Sequence, residues 1–289
     1  MKKINKTMLV LGAVTTGLVF AADQNKRIVK TQYRIKSEKI KRSIKIVHLS
    51  DFHSTLFYNL TSKILECKAD IIVVTGDYIN DKCKNKDKML NYCRELSAVA
   101  PVYYIPGNHE RRLKNFEELM KELSENGFNV LVNEEKEILL NDNNISILGL
   151  SEKQADKKDY INRMINNFVY EDFSEELKNF EKSNGFKLLL CHFPENFEKI
   201  KELNYSQYDF DLMLCGHAHG GQFDLPLIGG CFAPGQGIFP KYTKGIFGEK
   251  SKMIVSRGLG NSEFPLRLFN HPEIVEITIE PTIWKYISF

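Results

Sequence analysis

The chain has 289 residues, 43% hydrophobic and 27% charged, with six cysteines and a formal charge of +3. That composition excludes a disordered, collagenous or disulfide-stapled protein and leaves globular material, long enough for one large domain. Residues 1–42 carry eleven Lys/Arg against two acidic residues and the remainder 29 against 35, so the body lacks the clustered cations that a nucleic-acid surface needs.

Residues 8–22 form an uncharged apolar stretch behind Lys2, Lys3 and Lys6. Fifteen such residues match a signal-peptide core better than the ~20 of a spanning helix, and Val19-Phe20-Ala21 suits a cleavage site. An uncleaved anchor is the alternative. Residues 26–42 read as a basic linker that can also lie on anionic headgroups. The positive-inside rule puts the body in the cytoplasm and an export signal puts it outside. All these readings place the protein at a membrane, with residues 1–25 as signal or anchor and residues 43–289 as the working domain. The cysteines show no close pairs and read as free thiols, with Cys191 and Cys215 as small buried strand residues.

Residues 43–50 (Ser-Ile-Lys-Ile-Val-His-Leu-Ser) predict a strand ending at Asp51-Phe52-His53. His48 falls inside it, where packing or a hydrogen bond behind the ligands suits it better than ligation. Residues 58–67 have helical spacing, and residues 69–75 are a nearly all-apolar strand running into Gly76-Asp77. Such a strand between helices predicts a sheet covered on both faces. Residues 82–98 make an amphipathic helix, and residues 101–106 a strand running into Gly107-Asn108-His109-Glu110. Residues 115–126 are helical and residues 128–132 a short strand. Residues 137–150 predict a hairpin turning at 141–144, where strand-helix alternation gives way to antiparallel pairing.

Residues 152–185 are charged and helix-prone without a chemical constellation, which predicts a solvated cover that shapes access. Residues 186–192 are a strand ending at His192, and Pro194 suits the first turn of a helix. Residues 211–215 run into Gly216-His217-Ala218-His219-Gly220-Gly221, and residues 252–256 and 273–280 predict closing strands. Between these two lies Arg257-Gly258-Leu259-Gly260-Asn261-Ser262. It is either a loop whose arginine grips a substrate phosphate or a plain surface turn with a salt bridge. His271 reads as a surface residue.

Five strand ends therefore carry Asp51, His53, Asp77, Asn108, His109, His192, His217 and His219, five of the seven histidines. Scattered surface histidines would not keep falling just behind apolar strands. Imidazoles two apart past a strand end can project into one site, and the flanking glycines admit close backbone approach. Three oxygen donors and five imidazoles are too many for one four-ligand zinc, lack a thiolate pattern, and differ from the all-oxygen set of calcium. They suffice for two metals sharing a carboxylate, a pair that can bind a phosphoryl oxygen while a metal-bridging hydroxide attacks in line. A nucleophilic Ser or Cys has no supporting motif.

The order Asp51-x-His53, Gly76-Asp77, Gly107-Asn108-His109-Glu110, His192, Gly216-His217-x-His219, within residues 45–225, resembles the calcineurin-like metallophosphoesterases. Ser50 to His53, Gly216 to Gln222 and Ser256 to Gly260 resemble its bacterial membrane-associated, YkuE/YaeI-like branch. The resemblance implies a four-layer α/β/β/α sandwich with mixed sheets. It implies that Asp51, His53 and His219 bind one divalent metal, that Asn108, His192 and His217 bind the other, and that Asp77 bridges them. His109 is implied to hydrogen-bond the phosphoryl group and protonate the leaving oxygen. Asn108, and Arg257 on the loop reading above, are the other substrate-side candidates. Phe52, Ala218 and the Ser151-Glu152-Lys153 stretch depart from the usual pattern.

The expected cofactors are two ions of Mn, Fe or Zn, with Mn favoured. The expected reaction is hydrolysis of a phosphodiester or pyrophosphate bond in a lipid-linked or nucleotide-sugar substrate, as in relatives that cleave UDP-2,3-diacylglucosamine. The chain is expected as a monomer at the cell membrane, on its extracytoplasmic face. The competing reading, a non-catalytic metal-binding scaffold on the same fold, leaves Asp77 and His109 without a reason.

Overall fold

Alternate residues of the apolar strands face two different hydrophobic layers, and this alternation builds the fold. The computed structural model describes residues 6–80, 82–83, 85–153, 158–165, 167–198, 204–261 and 264–282; Lys2, Lys3 and Ser262 lie outside them. The helix α1 (Lys6–Lys26) leads into strand β1 (Val29–Ser37). Then β2 (Ile44–Leu49), α2 (Leu60–Cys67), β3 (Ile71–Thr75), α3 (Lys86–Val99), β4 (Val102–Ile105), the single turn α4 (Asn108–Arg111), α5 (Phe116–Glu125) and β5 (Phe128–Val130) follow in turn. The hairpin of β6 (Glu134–Leu140) and β7 (Asn143–Leu150) turns on Asn141 and Asp142, both at the positive φ that a tight hairpin requires. Next come α6 (Asp159–Met164), α7 (Ser174–Phe180), β8 (Phe186–Cys191), a 3-10 turn at Pro194–Phe197, and β9 (Leu212–Cys215). Two small hairpins follow, β10 (Asp224–Leu225) with β11 (Gly229–Gly230) and β12 (Phe232–Ala233) with β13 (Gly237–Ile238). The last strands are β14 (Gly245–Phe247), β15 (Lys252–Val255) and β16 (Glu273–Pro281).

The longer strands form two six-stranded sheets, ordered β1-β16-β2-β3-β4-β5 and β14-β15-β9-β8-β7-β6. Strands β2 to β5 run parallel, as do β7, β8, β9 and β15, so every candidate ligand lies past the carboxyl end of a parallel strand. Ile46, Ile71, Val73 and Ile105 of the first sheet share one buried layer with Ile147, Leu188, Leu190 and Leu214 of the second. On the first sheet's outer face Val47, Ile72 and Val74 cluster with Ile64 of α2, Leu96 of α3 and Leu123 of α5. On the second, Leu148, Leu189 and Met213 cluster with Leu177 and Phe180 of α7 and with Phe193. This is the expected four-layer α/β/β/α sandwich.

Residues 26–42 are not the basic linker that the sequence suggests. Strand β1 pairs with β16 along its whole length, from Val29 opposite Glu273 to Ser37 opposite Pro281. Lys30, Gln32, Arg34 and Lys36 are its exposed residues while Ile35 is buried, so the basic composition belongs to the solvent side of an edge strand, where charge blocks edge-to-edge pairing. Among the described residues no helix is long and apolar enough to cross a membrane. Helix α1 is exposed on all sides over residues 12–20 and meets the body near its carboxyl end, through Phe20 against Phe269 and Asn25 against Asn261. His271, expected at the surface, is partly buried there beside Gln24 and Arg27.

If β1 belongs to the core sheet, Ile35→Ala should lower the unfolding free energy in urea by about 2–4 kcal/mol, the cost of truncating a buried aliphatic side chain. A linker residue would give under about 0.5 kcal/mol.

Candidate metal centre

Five of the strand-end residues take left-handed backbone: Asp51 (φ 54°), His53 (46°), Asp77 (52°), His217 (67°) and His219 (47°). Such values are uncommon outside glycine, and strained backbone concentrates at functional sites. Glycines give these turns room. A Cβ on Gly76 would stand 2.6 Å from the Gly107 Cα, and one on Gly216 would strike the Ser50 hydroxyl and the Asp51 carboxylate. Phe52 and Ala218 between the ligands are buried in the flanking hydrophobic clusters.

Asp77 is the centre of the arrangement. Its Oδ1 accepts the His109 backbone N–H at 2.9 Å. Its Oδ2 lies 3.6 Å from His53 Nε2 and 3.4 Å from His192 Nε2. On one side His53 Nε2 faces His219 Nε2 at 3.0 Å, and His219 Nε2 is 3.5 Å from Asp51 Oδ1. On the other side His192 Nε2 is 3.0 Å from Asn108 Oδ1 and 3.2 Å from His217 Nδ1. Donor atoms roughly 3.0–3.4 Å apart are what ligands at ~2.1 Å from a shared cation present to one another. The buried groups Asp51, His53, His219 and Asp77, His192, His217 each form a potential metal cluster, and His53, Asp77, His109 form a third that overlaps both. The donor set therefore fits two divalent ions sharing Asp77.

Hydrogen bonds behind these atoms aim them. His192 Nδ1 donates to the Thr75 carbonyl at 2.7 Å, which turns Nε2 toward the cluster. His48 bonds Thr75 Oγ1 at 2.8 Å, the supporting role expected of it. The Glu110 carboxylate accepts the backbone N–H groups of Gly107 (3.0 Å), Asp77 (3.0 Å) and Ile79 (2.7 Å), tying the loop after β3 to that after β4.

Burial pushes Asp51 up to about 6, against the pull of His192 and with the push of Asp77. Burial would raise Asp77 as well, but the imidazoles of His192, His109 and His53 hold it well below the usual carboxylate range. Burial lowers His53 to about 3 and takes His217 and His219 well below their ordinary value. Burial opposes a charge on His192 too, yet the Asp77 carboxylate carries it up to about 10. Asp77 and Asp51 thus favour on His192 the proton that burial disfavours on His53, His217 and His219.

Eight strand-end residues converge as the sequence suggests, but Arg257 does not join them. Its backbone N–H and its Nε face Glu273 at 3.0 and 3.6 Å, the plain turn with a salt bridge. The arginine at the cluster is Arg267, fully buried, with Nη2 3.4 Å from His219 Nδ1 and Nη1 donating to the Arg257 carbonyl at 2.9 Å. Asn270 donates to the carbonyls of His219 (2.6 Å) and Gln222 (3.1 Å). Neither residue carries a motif, so no spacing points to them. The cover over 152–185 also holds more than solvated charge. Arg163 of α6 is buried, paired with Glu152 and with Glu195 (3.6 Å), and lies 3.9 Å from the Phe193 ring centre; that ring packs against His192 and His217.

Residues 44–221 match the calcineurin-like phosphoesterase family. The chain is 31% identical over 268 residues to the metallophosphoesterase YkuE of Bacillus subtilis, covering 88% of this chain and 86% of that one. It is 28% identical over 247 residues to the metallophosphoesterase YkoQ of Bacillus subtilis, covering 81% and 83%. It is likewise 28% identical over 246 residues to the phosphodiesterase YaeI of Escherichia coli, covering 81% and 82%.

Because a cation must displace the His192 proton, metal affinity should rise with pH, by up to about tenfold per unit below a pKa of about 10. Titration calorimetry in buffers of different ionisation enthalpy should register this proton release near neutral pH. Glu110→Gln leaves one oxygen for three N–H groups and should cost about 2–4 kcal/mol in urea unfolding while weakening metal binding.

Proposed function

We propose a reaction for this chain from the premise that it belongs to the calcineurin-like phosphoesterase family: metal-dependent hydrolysis of a phosphodiester or pyrophosphate bond at a dinuclear centre. The observation that carries this reading is the single Asp77 oxygen within 3.6 Å of donors from both buried groups. Asp51, His53 and His219 would hold one cation and Asn108, His192 and His217 the other, with Asp77 between them. A bound pair supplies Lewis acidity to a phosphoryl oxygen and makes water acidic enough to serve as nucleophile near neutral pH. Donors of this kind suit Mn, Fe or Zn, and Mn is the favoured pair.

The protein's own part is to position groups and move a proton. The His109 N–H holds Asp77 Oδ1, which keeps Oδ2 turned to the centre. The His109 ring stands edge-on to His53, with centroids 4.6 Å apart and Nε2 4.0 Å from Asp77 Oδ2. From there it can bond a phosphoryl oxygen and deliver a proton to the leaving oxygen, as general acid. A cleft of about 200 Å³ opens beside His53, lined by Ser54, Asn80, Lys82, Cys83 and Asn85, and offers substrate a way in.

The substrate in this reading is membrane-associated, a lipid-linked phosphodiester or a nucleotide-sugar lipid of the UDP-2,3-diacylglucosamine kind, met by a monomer on the extracytoplasmic face of the cell membrane. The uncharged stretch at residues 8–22 and the relative named a phosphodiesterase support it. A non-catalytic scaffold would have no use for strained ligands around a shared carboxylate.

The full chain, stripped of metal and reloaded separately with Mn, Fe or Zn, should hydrolyse bis-p-nitrophenyl phosphate faster than p-nitrophenyl phosphate. Two bound metals without turnover of either would oppose the diesterase reading. Asp77→Asn should lose both metals and nearly all activity. His109→Ala should keep its metal content and lose about 10²–10⁴ in kcat, the span of general acid-base catalysis. Equal metal loss in the two variants would make His109 a ligand instead.

A further inference from the structure

The segment after the last metal-ligand candidates differs in composition from the rest of the chain. Residues 225–240, Leu-Pro-Leu-Ile-Gly-Gly-Cys-Phe-Ala-Pro-Gly-Gln-Gly-Ile-Phe-Pro, hold no charged residue in a protein that is 27% charged. They lie in the β10–β11 and β12–β13 hairpins, with Gly230, Ala233, Gly235 and Gly237 buried and apolar side chains between them exposed. At the first hairpin tip Leu227 is fully exposed and Ile228 largely so, and at the open end of the second hairpin, where β13 leaves it, Ile238 and Phe239 are exposed. Leu227 (φ 69°), Phe239 (50°) and Phe269 (53°) take left-handed backbone. Among the described residues these are the only large apolar side chains in that region of backbone space. The strain presents apolar side chains to solvent, which a water-facing loop has no reason to sustain.

Ring and backbone contacts link the hairpins to α1 and to the metal centre. Phe264 packs on Phe223 and Phe232 beside the hairpins, and Phe223 bridges to Leu268. Phe269 in turn meets Phe20 of α1 at 5.8 Å. Arg267 and Asn270 tie the same segment to His219. Helix α1 leaves the body at this patch, and its residues 12–20, uncharged and exposed on every side, cannot rest in water with Val14, Leu18 and Val19 uncovered. Whatever covers that helix approaches the hairpins as well.

We propose that the first hairpin tip, Ile238 and Phe239 at the end of β13, and Phe269 form a docking surface for a lipid bilayer, beside α1, which sets the metal centre at the level of lipid headgroups. An uncharged, loop-borne set of Leu, Ile and Phe beside an apolar helix is the composition that partitions into the boundary between headgroups and acyl chains. The inference rests on the phosphodiesterase reading for its purpose, delivery of a membrane-held phosphoester, but not for the binding itself.

The test uses the full chain carrying Trp284→Phe, which removes the single native tryptophan, with Leu227→Trp added. A control carries Leu139→Trp, exposed on β6 near the turn at the opposite end of the strands. The probe is vesicles of phosphatidylglycerol and phosphatidylethanolamine with brominated acyl chains. Position 227 should shift to the blue and be quenched by the bromines, while position 139 should not. Leu227→Asp with Ile228→Asp should weaken vesicle binding about tenfold or more, as expected for removing two side chains from lipid, and leave turnover of soluble bis-p-nitrophenyl phosphate unchanged. That turnover also certifies folding. An unquenched tryptophan at 227 on vesicles that still pellet the protein would mean α1 binds alone, and would overturn the proposal. So would a blue shift that grows with protein concentration without lipid, which would mark a second copy on the patch. If the parent chain cleaves no diester, the hydrolase reading fails while the quenching still reports on docking.

Discussion

A carboxylate with almost no solvent around it costs several kcal/mol to bury unless opposite charge and hydrogen bonds face it, and Asp77 meets that requirement from three sides. Its Oδ1 takes the His109 N–H, its Oδ2 looks at His53 and His192, and its own N–H is held by Glu110. The demand spreads outward. Gly76 and Gly107 stay without side chains because their backbones nearly touch, and Thr75 spends its carbonyl on His192 and its hydroxyl on His48. The carboxyl ends of β2, β3, β4, β8 and β9 converge on a charge that only a protonated imidazole or cations can balance.

Two buried arginines extend this order beyond the strand ends. Arg163 fastens α6 between Glu152 and Glu195, and Arg267 fastens the segment before β16 against His219. Burial, joined by the nearby Arg257 charge, lowers the Arg267 pKa to about 10 against the pull of Asp51 and Glu273. Buried ion pairs contribute little net stability over well-packed apolar groups, so the effect of the ion-paired Arg163 and the hydrogen-bonded Arg267 is to fix how α6 and the segment before β16 sit beside the metal centre. The Phe193 ring, between Arg163 and the imidazoles of His192 and His217, transmits that placement.

The irregular region after His219 has the opposite character. It carries two hairpins whose one charged residue is Asp224, together with strained, exposed apolar side chains, and it receives the end of an apolar helix. A buried, charged reaction centre and a lipid-compatible surface therefore share the segment around Arg267 to Asn270, where Leu268 and Phe269 serve the surface and the residues on either side serve His219.

Much of this is legible in the sequence, because a strand and its polar end are local features. Ten consecutive residues suffice to show the alternation of Ile44 to Leu49 and the break at Asp51, and the same holds for Asp77, His192 and His217. Strand β1 is not legible, because Lys30, Arg34 and Lys36 dilute its half-buried face and its partner β16 lies at the other end of the chain. Arg257 and Arg267 look alike as residues, and only what folds opposite turns one to Glu273 and the other to His219. Glu110 stands inside a recognisable motif, yet its three N–H partners come from two loops. The sequence by itself determined which residues end the strands and what chemistry they can support. Only the tertiary structure decided which of them share Asp77 and which arginine joins them, because the spacing of residues 51, 77, 108, 192 and 219 is set by the stacking of two sheets, a long-range packing that no local periodicity encodes.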